Sequence, residues 1–342
     1  MARLRKAIAT EETIFRPVGN AVLVSHGFSG GVPKEVIRKR QNAMHVADLP
    51  KGIHRSQELP DPALGALWDS IVLNKKLKDQ LLSQAVLNFT VRPKVARSVI
   101  PLHGVILLVG PPGTGKTSLA RGLAHRTAQA FPGGRFRLLE VDPHTLTSSA
   151  MGKTQRAVSD LFSQSIAEAA TQGPTIVLLD EVETLAADRS KMSLESNPVD
   201  IHRATDAVLV QLDLLAEQFP KLLFVATSNF PEAVDSAFTS RCDLVAQIPL
   251  PDRVACAQIL TDCLQGLAKT YSPIGKLITT SAMDRVAGEC IGLDGRALRK
   301  TVANALAGTP ETAMDPSRLS LEAIVAAARS ARANRSEGNA RK

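Results

Sequence analysis

The stretch LLVGPPGTGKTSLA, residues 107–120, decides how the rest of the chain is read. An apolar, strand-like run ends at Gly110 and gives way to Gly-Pro-Pro-Gly-Thr-Gly-Lys-Thr. Three glycines and two prolines in eight residues neither continue a strand nor fill a helix interior. They predict a tight loop with inward-pointing backbone N–H groups, feeding a helix that starts near Thr117. A nest of N–H groups at a helix N-terminus, with a lysine beside it, is a polyphosphate site. The segment matches G-x-x-x-x-G-K-[ST] in full. Gly110, Pro111, Pro112, Gly113, Thr114, Gly115, Lys116, Thr117 and Ser118 are therefore the candidate nucleotide-binding residues. Lys116 is placed for the β- and γ-phosphates of ATP, and the Thr117 hydroxyl for a Mg²⁺ ion. A glycine loop that merely turns the chain leaves that lysine unexplained.

Outward from this loop, strands and helices alternate. GVILLV precedes it, RFRLLEV, TIVLLD, LLFVAT and LVAQIPL follow, and helical stretches lie between. Strands without polar alternation, separated by helices, predict a parallel sheet covered on both faces. The expected fold is α/β: five parallel strands sandwiched by helices, with a smaller all-α domain after about Pro251, where strands stop. Upstream, LWDSIVLNKKLKDQLLSQAVLNF places Leu73, Leu77 and Leu81 on one helical face. LPKGIHRSQELPDP reads as a linker, and GNAVLVSHGFSGGVPKEV as a short strand with a Gly-rich turn. The expected divisions are 1–58, a short N-terminal region; 59–250, the large α/β unit; 251–330, a helical lid; and 331–342, a basic tail.

Composition narrows the function classes. The 342 residues are 44% hydrophobic and 22% charged, ordinary values for a globular protein. No apolar run reaches the ~20 residues a bilayer span needs. Glu11 and Glu12 interrupt the basic start before a signal-like stretch develops, so the expected location is cytoplasmic. Four cysteines without CxxC spacing and seven histidines without HExxH predict neither a zinc site nor a disulfide frame. The net charge of +8 gathers largely in RLRK, VIRKRQ and the tail ARSARANRSEGNARK. It raises nucleic acid as a partner, but aromatic residues are only 4%, which supplies stacking platforms poorly.

Three more motifs fall at predicted strand or helix ends. TIVLLDEVETL delivers Asp180 and Glu181 to the carboxyl edge of the sheet, where open α/β sheets bind ligands. Asp180 fits a holder of Mg²⁺, and Glu181 fits the base that polarises an attacking water. LLFVATSNF brings Thr227, Ser228 and Asn229 to the same edge, and an amide at Asn229 can both donate to and accept from water or γ-phosphate. Arg241, past a short helix, faces away from its own nucleotide. It reads either as an arginine completing a neighbouring subunit's site or as a surface charge paired with Asp243. In GLDGRALRK, Gly295 puts Arg296 on the first turn of a helix, from which it reaches over the cleft to its own subunit's phosphates.

Together these motifs resemble those of the AAA+ ATPases. LWDSIV, GPPGTGKTSL, DEVETL, ATSN, VDSAF with RCD, and GRALRK are similar to their counterparts in the pachytene-checkpoint / thyroid-receptor-interactor family, over about residues 59–310. That resemblance implies a homo-hexameric ATPase that remodels HORMA-domain proteins. It makes Glu181, Asn229, Arg241 and Arg296 the candidate catalytic residues. By the same resemblance, Ser149, Ala150, Met151 and Gly152 belong to a substrate-gripping pore loop. Two departures stand out. Only about 58 residues precede the core, and the pore-loop segment TLTSSAMGK offers Ala150 and Met151 where relatives carry an aromatic residue. A short N-terminal part resembles bacterial members found beside HORMA proteins and cyclic-oligonucleotide synthases in anti-phage CBASS operons. The alternative is a nucleic-acid-acting AAA+ loader or initiator, motivated by the basic ends but lacking a recognisable nucleic-acid module. Tight DNA binding lost steeply with salt, together with DNA-stimulated hydrolysis, distinguishes that reading.

Overall fold

In the computed structural model, which describes residues 49–146, 153–187 and 198–340, six strands form one sheet in the order β1-β3-β4-β5-β2-β6. The strands are β1 (Ile53–Leu59), β2 (Val105–Val109), β3 (Phe136–Val141), β4 (Thr175–Leu179), β5 (Leu222–Ser228) and β6 (Leu244–Gln247). β2 to β6 are parallel, as the sequence predicts, and β1 adds an antiparallel edge against β3. The alternation of side chains explains the unbroken apolar runs. Leu107, Val177 and Phe224 enter the core on one face of the sheet, while Ile106, Leu108, Ile176 and Val225 enter the core on the other.

The linker reading of LPKGIHRSQELPDP is corrected by β1. Its interior is polar because it is an edge strand, anchored by buried Ile53 and Leu59 at its ends. Glu140 of β3, almost fully buried, makes its outer partner unusual. Arg121 donates to this carboxylate through Nε (3.1 Å) and Nη2 (2.6 Å), and His54 of β1 lies 3.2 Å away. A buried carboxylate needs such partners, and the His54 contact ties the edge strand to β3. The predicted N-terminal strand within residues 19–36 lies outside the described residues.

The single helix predicted through Leu73 is two. α1 (Pro62–Ser70) and α2 (Lys75–Thr90) are separated at Ile71–Asn74. Asp61 caps the first by accepting from the Ala63 N–H at 2.9 Å, and Asn74 caps the second from Lys76 at 2.8 Å. Trp68 of α1 lies so close to α3 (Lys116–Gln129) that a Cβ on Gly122 would sit 2.6 Å from its own Cβ. This close approach is what glycine permits there, and it fixes α1 over the helix that leaves the phosphate loop.

The helical stretch between β3 and β4 comprises α4 (Lys153–Asp160), a π-helical stretch (Leu161–Ile166) and α5 (Ala167–Gln172). α6 (Pro198–Gln218) packs with them under the sheet, and the short α7 (Ser236–Ser240) follows β5. The all-helical part comprises α8 (Arg253–Ala268), α9 (Thr280–Cys290), α10 (Gly295–Leu306), α11 (Pro310–Met314) and α12 (Leu321–Ala340) around its own core. α12 runs on to Ala340, so the predicted division at 330 falls inside a helix. Among the described residues no helix is long and apolar enough to cross a membrane.

Candidate nucleotide-hydrolysis site

β2 ends in the glycine loop, and Gly113 (φ 81) and Gly115 (φ 89) take left-handed conformations that a side chain disfavours. Neighbouring side chains crowd these positions as well. A Cβ on Gly113 would lie 2.3 Å from Asp294 Oδ1, and one on Gly115 would lie 2.5 Å from Ile71 Cδ1. Gly115 precedes the first turn of α3, so the N–H groups of that turn open onto the loop.

Lys116 is only 6% exposed, and its ammonium donates to Gly110 O (2.7 Å), Pro111 O (2.9 Å) and Asn229 Oδ1 (2.7 Å). Burial pushes its pKa down from the ordinary lysine value, opposed by the carboxylates of Glu183, Asp180 and Glu181. Asn229 thus meets the phosphate-loop lysine directly, across 113 residues of sequence.

Asp180, just past β4, accepts from the Thr117 hydroxyl at 2.9 and 3.1 Å and from Thr227 Oγ1. A carboxylate and a hydroxyl held this way are hard oxygen donors suited to Mg²⁺. Glu181 is the only non-glycine residue with positive φ (50) among the described residues. Its half-exposed side chain is met on both oxygens: Asn229 Nδ2 lies 3.2 Å from Oε1 and His144 Nε2 lies 3.2 Å from Oε2. A carboxylate restrained on both oxygens can take a proton from a water brought between it and a phosphate.

A cleft of ≈ 250 Å³ continues from Gly113–Gly115 between the sheet unit and the helical lid. Ile71, Val72 and Leu73, from the break between α1 and α2, form an apolar wall, with Ile259, Arg296 and Arg299 opposite. This wall suits a purine base beside the phosphate loop. The Arg296 side chain is exposed, while its backbone N–H donates to Gly113 O at 3.2 Å. Arg299 donates to Ser70 O at 2.9 Å, tying the lid to the end of α1.

Arg241 lies elsewhere. Its guanidinium pairs with Asp213 of α6 at 3.0 and 2.7 Å, and the bond it donates holds the Asp213 carboxyl below the usual range. The alternative pairing with Asp243 is not formed: Asp243 instead accepts from the backbone N–H groups of His103 and Gly104, both at 2.7 Å. The proposed pore-loop residues Ser149, Ala150, Met151 and Gly152 lie outside the described residues. His144 and Glu183 were not singled out from sequence. Glu183 accepts from the Asn229 backbone N–H at 3.1 Å.

Residues 106–250 match the model of the ATPase family associated with various cellular activities (AAA). The chain is 70% identical over 302 residues to CD-NTase-associated protein 6 of Pseudomonas aeruginosa, covering 88% of this chain and 99% of that protein. The chain belongs to this AAA ATPase family. An AAA ATPase binds nucleotide, and the glycine cradle, buried lysine and Thr117–Asp180 pair have the chemistry that binding needs. The chain is also 32% identical over 277 residues to the Pachytene checkpoint protein 2 homolog of Oryza sativa subsp. indica. That match takes in 71% of this chain but only 58% of the rice protein, so the AAA ATPase described here spans little more than half of it. The structure of C. elegans PCH-2 superposes with a TM-score of 0.66 at 26% identity, covering 85% of this chain and 77% of that one. A chain of the E. coli MS115-1 HORMA:CdnC:Trip13 complex shares the fold, with a TM-score of 0.67 at 17% identity, over 81% of this chain and 94% of that one.

Proposed function

We propose that this AAA ATPase is a Mg²⁺-ATP-driven, hexameric, cytoplasmic remodeller that engages a HORMA-domain protein and takes apart its complex with a cyclic-oligonucleotide synthase, in anti-phage signalling. The observation that carries the reading is the 70% identity along nearly the whole of a CD-NTase-associated protein, in a chain whose hydrolytic groups are all present. In this reading Lys116 neutralises the β- and γ-phosphates, Thr117 and Asp180 hold Mg²⁺, and Glu181 takes the proton of the attacking water. Asn229 orients that water, Arg296 reaches its own subunit's phosphates, and Arg241 serves the neighbour. The bound metal supplies charge neutralisation at the phosphates. Removing the Lys116 ammonium deletes a charge-assisted contact, so Lys116→Ala should weaken ATP binding by about a hundredfold in a calorimetric titration.

The test of remodelling uses a purified HORMA–synthase complex, with dissociation followed by gel filtration in the presence of ATP. Wild-type protein should separate the partners, and ATP-free samples should not. Met151→Asp addresses the proposed grip. A thioether is flexible and polarizable, so it holds varied side chains weakly, whereas a carboxylate must lose its hydration to pack against an apolar segment. Met151→Asp should slow dissociation far more than it slows hydrolysis measured in the same tubes. Dissociation at the wild-type rate would remove Met151 from the grip.

A further inference from the structure

The lid meets the phosphate loop through a carboxylate. Asp294 caps α10, and its Oδ1 accepts from the Ala297 N–H at 2.9 Å. That bond leaves the carboxylate little freedom. The same oxygen lies 2.3 Å from where a Cβ on Gly113 would stand, and two residues on the Arg296 N–H donates to Gly113 O. A negative charge is therefore clamped against the loop that receives a polyphosphate. Alone, it opposes an anionic ligand.

It is not alone. Arg335 Nη1, on α12 and 41 residues downstream, donates to Asp294 Oδ2 at 3.1 Å. The pair is largely sheltered, with side chains 18% and 30% exposed. Arg335 lies in the segment that reads from sequence as a basic tail, and this contact takes it out of the solvated background.

We propose that Arg335 is a positioning residue for nucleotide binding: it neutralises Asp294 beside Gly113, so the C-terminal helix sets the affinity of the phosphate loop for polyphosphates. The Asp294 side chain caps α10 and lies against Gly113. Its charge is the liability, and Arg335 offsets it. The inference rests on nucleotide occupying the loop, and its test separates the two.

ADP and a slowly hydrolysed ATP analogue are titrated calorimetrically into the full chain. With the counter-charge removed, Arg335→Ala should bind roughly fivefold more weakly, the size of one charge acting across several ångströms in water-like surroundings. The loss should be larger for the triphosphate and should shrink at high salt. In steady-state kinetics it should raise KM more than it lowers kcat. Arg335→Lys keeps the charge and should bind near the wild-type level. Asn caps helices as well as Asp, so Asp294→Asn removes the charge and keeps the cap. In that background Arg335→Ala should cost nothing further. Thermal unfolding of the nucleotide-free variants establishes that each is folded. Unchanged affinity in Arg335→Ala overturns the inference, as does a loss that persists undiminished alongside Asp294→Asn, because packing of α12 would then explain it. Undiminished ADP binding by Lys116→Ala would instead bring down the phosphate-loop reading on which the inference stands.

Discussion

Glu181→Gln is expected to bind ATP as the wild type does and to release phosphate about a thousandfold more slowly, within the range that a positioned general base supplies. The two halves of this expectation rest on different residues. Binding rests on Lys116, Thr117, Asp180 and the glycine loop, none of which depends on the Glu181 side chain for its own bonds. Turnover rests on an oxygen that can accept a proton. The Glu181 carboxylate is held through Oε1 by Asn229 and through Oε2 by His144. Glutamine has the same shape and keeps one carbonyl oxygen for Asn229, so the site should keep its arrangement while losing its base. The backbone at Glu181, with φ 50, costs on the order of 1 kcal/mol for a residue with a side chain. Glutamine bears the same cost, so the substitution does not confound stability with catalysis. Calorimetric ATP affinity and steady-state phosphate release decide the matter. Hydrolysis at the wild-type rate would show that another group takes the proton.

The sequence made one class of feature legible, and the structure explains why. Gly113 and Gly115 declare themselves because left-handed backbone and absent Cβ atoms are local demands. Asp180, Glu181 and Asn229 follow because apolar strands place the residues just after them at one sheet edge. What escaped has a common cause in distance along the chain or in polarity. β1 is an edge strand whose polar interior mimics a linker, and its hold on the sheet comes from its ladder with β3, some 80 residues on. The break between α1 and α2 carried a signal, the cap at Asn74, which the leucine spacing at Leu73, Leu77 and Leu81 overrode. His144 and Glu183 gain meaning only once β3, β4 and β5 lie side by side, and Asp294 and Arg335 only once the lid is folded onto the loop. The surface-pair alternative for Arg241 fails for the same reason: Asp243 is two residues away in sequence, but its carboxylate is already taken by the backbone before β2.

Arg241→Ala is expected to bind ATP normally and to hydrolyse it at least ~10³-fold more slowly, the scale of an arginine acting on a neighbour's phosphates. The structure bears on this expectation through Asp213. Arg241 is about a quarter exposed and Asp213 about two-fifths, so their ion pair is a partly solvated one, worth about 1 kcal/mol or less. A factor of 10³ in rate corresponds to about 4 kcal/mol. The pair with Asp213 is therefore small beside the effect expected of Arg241 at a neighbouring triphosphate. Asp213→Asn should accordingly change hydrolysis little. The decisive experiment mixes subunits. If Arg241 acts within its own subunit, every site in a ring of Arg241→Ala and Glu181→Gln subunits carries one defect and the mixture stays inactive. If it acts across the interface, some junctions join the intact Glu181 of one subunit to the intact Arg241 of the next. Those junctions should hydrolyse ATP, and activity should rise with mixing and peak near equal proportions. Rings shown by mass measurement to contain both variants, yet with no recovered activity, would confine Arg241 to the Asp213 pair and leave the proposed ring without its connecting residue.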